Sequence, residues 1–180
     1  MEAGNSSVLT PSAQTVTPCD VREELEMVIK AIECARAKLM KECPPLFALL
    51  DIQYSYGLRV SEALAIKVMD IFPSGKILVR GLKGSMSRII TPGMSLSYFQ
   101  RCQASNIHPF EILDRFFVYR QYNKLGIKHY FQENGKYAVT HIFRYLAIKE
   151  LSHGCEDYEL VSKFIGHKNK SNTVIYGKKV

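Results

Sequence analysis

The sequence predicts a mainly α-helical (α+β) domain that carries one small β-hairpin. Three observations predict this class. Several segments place apolar residues at helical spacing, glycine or proline follows where these segments end, and two short apolar runs flank a glycine-rich turn. Of the 180 residues, 47% are hydrophobic and 23% are charged, which is typical of a globular chain and excludes a fibrous or disordered one.

Capping signals justify the helices one by one. Asp20 and Glu23 resemble a capping box, Gly57 and Gly166 are suited to left-handed helix ends, and Pro109 suits the first turn of a helix. The predicted elements in chain order are a helix from Asp20 to before Pro44, helices over 45–56 and 61–68, strands over 76–80 and 88–90, helices over 94–102, 109–122, 140–151 and 157–165, and a last short helix around 171–176.

Residues 1–18 are small, polar and rich in Pro, Thr and Ser, and we expect a flexible arm there. Residues 19–180 then form one domain. No apolar run approaches the roughly 18 residues that cross a bilayer, and no secretory signal is visible. The five cysteines are scattered without a C-x-x-C spacing, which favours reduced thiols in an intracellular, cytoplasmic protein and no zinc site.

The charge predicts a polyanionic partner. There are 24 Lys and Arg against 17 Asp and Glu, a formal net charge of +7. Two segments, 76–101 and 160–180, are basic and hold no carboxylate, so folding could bring them together. Nucleic acid is therefore a better candidate partner than an anionic membrane, and no membrane association is predicted.

The side chains suited to chemistry are mainly cationic, and no phosphate-binding glycine loop, metal-ligand cluster or carboxylate pair accompanies them. Arg59 follows the Gly57 cap and Lys83 lies at the hairpin turn. His141 and Arg144, three apart, should share one helix face. The remaining two are His167, directly after Gly166, and Tyr176. Each residue alone has an ordinary structural explanation, but six in order are a specific pattern.

Four boxes of the sequence resemble the tyrosine recombinase (phage integrase) family. They are Tyr56-Gly57-Leu58-Arg59-Val60-Ser61-Glu62, Gly81-Leu82-Lys83-Gly84, Thr140-His141-Ile142-Phe143-Arg144, and Gly166-His167 followed by Thr173-Val174-Ile175-Tyr176. Arg144 lies 23 residues before His167, and Tyr176 lies nine residues after His167, spacings that are similar to those of the family. The resemblance implies that family's catalytic-domain fold over about three-quarters of the chain.

The resemblance also implies a reaction, in which a tyrosine cleaves and rejoins DNA through a 3′-phosphotyrosine. Two arginines, Arg59 and Arg144, would hold the phosphate, since guanidinium is planar and permanently charged. His167 would donate a hydrogen bond, Lys83 would protonate the 5′-oxygen, and His141 would position the phosphate and handle the tyrosine proton.

Tyr176 is the expected nucleophile and Glu62 the expected carboxylate that braces the site. No cofactor or metal is expected, because the phosphotyrosine conserves the energy for religation. Further contacts to the DNA backbone are predicted for Lys168, Lys170, Lys178, Lys179 and Arg88.

Some features depart from the family pattern. No separate core-binding domain of about a hundred residues precedes residue 19, and only 177–180 follow the expected nucleophile. Leu82 separates the glycine and lysine of the hairpin turn, which could move Lys83, and Tyr145 stands where a histidine often follows the second arginine.

The sequence favours a site-specific recombinase or integrase acting on double-stranded DNA, as a homotetramer on two duplexes. Two alternatives stay open. One is a type IB topoisomerase-like enzyme that nicks and closes DNA, and the other is a DNA-binding regulator that keeps the fold without catalysis. The sequence does not indicate whether a host protein assists.

Overall fold

The computed structural model describes residues 18–82, 84–131, 136–154 and 157–168, together with Ser171 and Thr173; for 18–22, 129–131, 136–138 and 154 it describes the backbone alone. The described elements in chain order are α1 (Pro18–Glu42), α2 (Pro44–Tyr56), α3 (Val60–Leu64), a 3-10 turn (Val68–Asp70), β1 (Ile77–Val79), β2 (Arg88–Ile90), α4 (Leu96–Ala104), α5 (Arg115–Lys124), β3 (His129–Phe131), β4 (Lys136–Ala138), α6 (Ile142–Gly154) and α7 (Tyr158–Ile165). The prediction of a mainly helical fold is confirmed.

Helix α2 forms the centre of the core, because its eight residues from Leu46 to Gln53 are all buried. It packs against α1 on one side and α6 on the other. Gly57 ends α2 in the left-handed conformation, with φ 58°, as the sequence predicts. A side chain at this position would also lie 3.2 Å from the Arg144 Cα, so the glycine lets α6 approach closely.

The predicted hairpin is present, with β1 and β2 antiparallel and Val79 opposite Arg88. A second antiparallel hairpin, β3 with β4, was not predicted, so the expectation of a single hairpin is wrong. Within the helices and strands that the structure describes, no segment is both long and apolar enough to cross a membrane.

Several predicted helix boundaries are wrong, and that of α4 is shifted by two residues, from 94–102 to 96–104. Helix α5 begins at Arg115 and not at Pro109, because the Asp114 carboxylate accepts hydrogen bonds from the backbone N–H groups of Phe116 and Phe117, at 2.7 and 2.8 Å. The turn before it is held by Phe110, whose ring packs edge-on against Phe99. Helix α6 runs through Gly154 rather than ending before it, and the helix predicted over 61–68 ends at residue 64.

The predicted ends of α7 are confirmed. The Asp157 carboxylate accepts hydrogen bonds from the N–H groups of Glu159 and Leu160, and Gly166 closes the helix with φ 78°. Of the last predicted helix, around 171–176, Ser171 and Thr173 are helical and the other residues lie outside the described part. The predicted arm over 1–18 lies outside it as well, apart from Pro18 in α1.

Candidate active site

A buried glutamate, Glu62, lies at the centre of the predicted site. Its Oε1 accepts a hydrogen bond from Arg59 Nη1 at 3.1 Å, and its Oε2 accepts one from Arg144 Nη2 at 3.1 Å. The Arg88 Nη2 lies 3.8 Å from the same Oε2. Oε2 also accepts from the Arg59 backbone N–H at 3.0 Å, as a glutamate does three residues after a helix N-cap. One carboxylate therefore organises three guanidiniums.

The loop that carries Arg59 is held by a buried relay. The Tyr122 hydroxyl donates to Gln53 Oε1 at 2.9 Å, and Gln53 Nε2 donates to the Leu58 carbonyl at 3.2 Å. Burial raises the pKa of Tyr122 well above its ordinary value, so the hydroxyl stays protonated and can donate. The relay fixes the backbone directly before Arg59, where α2 passes into α3.

Arg144 ties three elements together from the first turn of α6. Its side chain is buried, and its Nε donates to the Gly57 carbonyl at 3.0 Å. Its Nη2 also lies 3.3 Å from the Ile165 carbonyl at the end of α7. Together with the bond to Glu62, these contacts fix the guanidinium plane and leave little rotamer freedom to lose on binding an anion.

The two basic segments meet beside this cluster. Met86 N–H donates to the Gly166 carbonyl at 2.8 Å, and Ser85 forms an isolated antiparallel bridge with His167. The buried Ser85 hydroxyl accepts a hydrogen bond from Arg59 Nη1 and donates one to Glu62. The β1–β2 loop is thus docked on both α3 and the end of α7.

His167 lies buried directly after the Gly166 cap. Its Nδ1 is 2.9 Å from the Thr173 Oγ1. Burial, and then the positive charges of Arg144, Arg59 and Arg88, lower the pKa of His167 to about 4. The imidazole is therefore neutral at pH 7 and can donate through one ring nitrogen while accepting through the other.

A cavity of about 110 Å³ opens over the arginines. Its lining residues are Arg59, Val60, Ser61, Arg115, Thr140, His141 and Arg144. His141 lies at the rim, immediately before α6, where its carbonyl accepts the Tyr145 N–H. Partial burial and the charges of Arg59, Arg144 and Arg115 lower the pKa of His141, so it also favours the neutral form.

The cluster carries a surplus of positive charge. Burial alone would raise the pKa of Glu62, but hydrogen bonds from Ser85 and the Arg59 backbone, with the charges of Arg144 and Arg88, hold the pKa below its ordinary value. Glu62 is thus ionised at pH 7, and one negative charge faces three guanidiniums. Such a site is complementary to an anion that brings further negative charge.

The structure brings together six of the predicted residues: Arg59, Glu62, Arg88, His141, Arg144 and His167. Lys83 and Tyr176 lie outside the described residues, as do the predicted DNA contacts Lys170, Lys178 and Lys179. Lys168 is exposed one residue beyond His167, whereas the side chain of Arg88 is 10% exposed and lies against Glu62.

Two residues of the site were not predicted. Arg115, the first residue of α5, lines the cavity, and Ser85 connects the hairpin to Arg59. No local pattern marks either one, because both reach the site through tertiary packing. The acidic N-cap of α5, Asp114, is the one sequence signal that would have placed Arg115 at a helix start.

The sequence profile of the phage integrase family matches residues 22–179. The chain is also 25% identical over 171 residues to the tyrosine recombinase XerA of Pyrococcus horikoshii, covering 87% of this chain and 55% of that protein. The chain therefore spans about half the length of this relative.

Solved structures share the fold. The crystal structure of XerA recombinase matches with a TM-score of 0.58 at 19% identity, over 93% of this chain and 61% of that one. The XerH site-specific recombinase bound to its difH substrate before cleavage matches with a TM-score of 0.58 at 23% identity, over 86% of this chain and 48% of that one. The helical bundle with its small hairpins is thus the fold of these two proteins.

Proposed function

The chain belongs to the phage integrase family, and on that premise we propose that it is a site-specific recombinase that cleaves and rejoins double-stranded DNA. The observation that carries the proposal is the cavity over Arg59 and Arg144, whose guanidiniums are fixed by one buried glutamate. Its volume of about 110 Å³ can hold the non-bridging oxygens of a phosphodiester group. The DNA-bound XerH structure supports duplex DNA as the substrate class.

In this proposal Arg59 and Arg144 bind the non-bridging oxygens of the scissile phosphate. Negative charge grows on these oxygens in the transition state, so donors that are already oriented stabilise it without further rearrangement. The Glu62 carboxylate supplies that orientation, and it leaves a positive surplus because it neutralises only one of the surrounding charges.

The two histidines have different roles. With the Thr173 hydroxyl donating to Nδ1, the hydrogen of neutral His167 lies on Nε2 and is donated to a phosphate oxygen. His141, at the cavity rim with a lowered pKa, is an acceptor for the tyrosine proton.

The reaction then needs a nucleophile and an acid, which the sequence motifs assign to Tyr176 and Lys83. The Tyr176 oxygen attacks phosphorus and forms the phosphotyrosine bond while the bond from phosphorus to the 5′-oxygen breaks. Lys83 gives its proton to that oxygen, and His141 receives the proton of the tyrosine. Religation is the reverse reaction, with the 5′-hydroxyl as the nucleophile.

Recombination exchanges strands between two duplexes, and each duplex needs two cleaving subunits. We therefore propose a homotetramer assembled on DNA.

Covalent trapping tests the proposal. Nicked duplexes of randomised sequence lose a short 5′-hydroxyl fragment once they are cleaved, which blocks religation and leaves protein attached to the 3′ end. We expect a denaturing gel to show a shifted band for the wild type and for Tyr158→Phe, a matched tyrosine variant at the start of α7. The band should be lost with Tyr176→Phe, and sequencing the trapped DNA gives the target site.

A shifted band that survives in Tyr176→Phe would contradict the assignment of the nucleophile. No band for the wild type, together with salt-sensitive duplex binding, would instead favour a regulator that binds DNA without catalysis. Relaxation of supercoiled plasmid of any sequence by a monomer would favour the topoisomerase-like alternative.

A further inference from the structure

Arg88 occupies an unusual position for a strand residue of a small surface hairpin. Its side chain is only 10% exposed, while the next residue, Ile89, is 60% exposed. From β2 the side chain reaches inward, so that its Nη2 lies 3.8 Å from Glu62 Oε2. Its Nη1 is 3.4 Å from the carbonyl of Met86 in the β1–β2 loop. Arg88 thus links the hairpin to the carboxylate that holds Arg59 and Arg144.

The guanidinium of Arg88 also passes across the end of α7. A Cβ at Gly166 would lie 2.2 Å from Arg88 Nη1 and 2.9 Å from Arg88 Cζ. Cβ atoms in proteins essentially never come this close to a non-bonded heavy atom. The left-handed φ of 78° favours glycine at position 166, and a side chain there would displace the Arg88 guanidinium. The backbone of the same turn accepts the Met86 N–H, so Arg88 lies beneath a contact between the two basic segments.

This arrangement is costly for folding. Within the described part of the chain, Arg88 Nε and Nη2 are buried and have no hydrogen-bond acceptor. Burial lowers the pKa of Arg88, and the nearby Arg59 lowers it further, while Glu62 opposes both effects. The ion pair with Glu62 offsets part of this cost, and it forms only when the hairpin lies against α3. Arg88 therefore favours the docked position of the hairpin.

We propose that Arg88 is a positioning residue that docks the β1–β2 hairpin, and with it Lys83, against the arginine cluster. The inference rests on the proposed function, in which Lys83 is the general acid. Lys83 lies five residues before Arg88 in the same hairpin, and the loop between them carries both described contacts to α3 and α7. The Nε and Nη2 atoms of Arg88 are closed to solvent, so these two donors are not open to a phosphate in this position of the hairpin.

The first part of the test measures docking without any need for activity. Residue-resolved amide hydrogen exchange should show the Met86 N–H protected in the wild type, because it donates to the Gly166 carbonyl. Arg88→Met should speed exchange at Met86 by about tenfold or more, relative to core amides. The matched control is Arg80→Met on the same hairpin, where the arginine pairs with Asp70 and is 56% exposed; its Met86 exchange should stay at the wild-type rate.

The second part uses a leaving group that needs no acid. Arg88→Met should slow cleavage of an ordinary linkage by about 100-fold, the usual contribution of a positioned general acid. A 5′-bridging phosphorothiolate at the trapped site releases a thiolate, which leaves without a proton. On this substrate Arg88→Met and Lys83→Met should both recover to within a few-fold of the wild type, and Arg80→Met should match the wild type on both substrates.

Equal losses on the two linkages, or unchanged exchange at Met86 in Arg88→Met, would overturn the proposal. If the wild type forms no covalent complex at all, the proposed function fails, while the exchange result still decides whether Arg88 docks the hairpin. Should Arg88→Met not fold cooperatively, Arg88→Lys serves for both measurements. Lysine keeps the positive charge but lacks the planar guanidinium. We therefore expect Arg88→Lys to lose part of the Met86 protection and part of the cleavage rate, and to recover that rate on the phosphorothiolate linkage.

Discussion

Two of the buried carboxylates that bind arginine, Asp51 and Glu62, have different surroundings. Asp51 of α2 forms an ion pair with Arg36 and accepts hydrogen bonds from the Ser95 N–H and hydroxyl, at 3.0 and 2.7 Å. The Arg36 guanidinium also lies over the Tyr54 ring, 5.4 Å from its centre. At Glu62, three guanidiniums surround one carboxylate. Two histidines with a lowered pKa, His141 and His167, lie beside them.

The difference separates a structural ion pair from a site that awaits an anion. At Asp51 one positive charge meets one negative charge, and the neutral donors of Ser95 complete the hydrogen bonds of the carboxylate, so the charges of this cluster are balanced. At Glu62, among the described ion pairs, one carboxylate faces three guanidiniums, and an anion in the cavity would balance the surplus. An ion pair by itself therefore does not indicate a functional site. A surplus of one charge around the pair does.

The two clusters should differ most in the free energy of unfolding that is lost when each carboxylate is replaced by its neutral amide. We expect Glu62→Gln to lower the free energy of unfolding by about 3–5 kcal/mol, because it leaves three guanidiniums without a counter-charge. Asp51→Asn should cost about 1–3 kcal/mol, since Arg36 is partly exposed and can turn to water. Urea unfolding of both variants measures the difference. A greater loss of unfolding free energy in Asp51→Asn than in Glu62→Gln would contradict the surplus of positive charge assigned to the Glu62 cluster.

A smaller effect should appear in the pH dependence of stability. The pKa of His167 is about 4 when folded and near 6.5 when unfolded, so the unfolded chain binds more protons between these values. Stability is therefore fully present above pH 6.5 and falls as the pH is lowered. From pH 7 to 5 we expect a loss of about 2 kcal/mol from this residue.

His167→Gln should flatten that slope, although His141, whose pKa is shifted in the same direction, leaves part of it. The range from pH 7 to 5 lies above the pH at which carboxylates ordinarily become protonated, so the slope in this range comes from the histidines. The exposed His153, at the end of α6, provides the control variant His153→Gln, which should keep the wild-type slope. An unchanged slope in His167→Gln would show that its imidazole is not held neutral by this cluster.

The smallest effect should come from Arg115, which lines the cavity but is exposed. Arg115→Ala should weaken duplex binding similarly for all sequences and reduce the salt dependence of log K by about one. Arg36→Gln, at the Asp51 cluster, should leave the salt dependence unchanged. Equal slopes for the wild type and Arg115→Ala, in a titration from low to moderate salt, would place Arg115 away from the DNA.

The sequence predicted those parts of the fold that local chemistry determines. Gly57, Asp157 and Gly166 act on their own neighbours, and the ends of α2 and α7 follow from them. Helix α5 was placed too early because Pro109 satisfies the local rule for a helix start, while the packing of Phe110 and the Asp114 cap decide the outcome. The β3–β4 pair was not predicted because each strand is only three residues long, too short to show an alternation of apolar and polar residues.

In the site, too, some residues could be predicted from the sequence, and others reach their position only through tertiary packing. Arg59, His141, Arg144 and His167 were chosen by their order in the sequence, and the fold brings them together. That Arg88 would turn inward to Glu62 was not predictable, because the direction of a strand residue depends on register and on what packs beneath the sheet. The roles assigned to Lys83 and Tyr176 remain predictions.

The proposed function requires the Glu62 cluster to stabilise the charge of a phosphate in the transition state. Single-turnover covalent-complex formation by Arg59→Gln tests this, on a normal linkage and on a methylphosphonate at the mapped site, which lacks one non-bridging charge. We expect a loss of about 100-fold or more on the normal linkage and a much smaller loss on the methylphosphonate, with Arg36→Gln unaffected on both. Equal losses on the two substrates would show that Arg59 does not stabilise the phosphate charge.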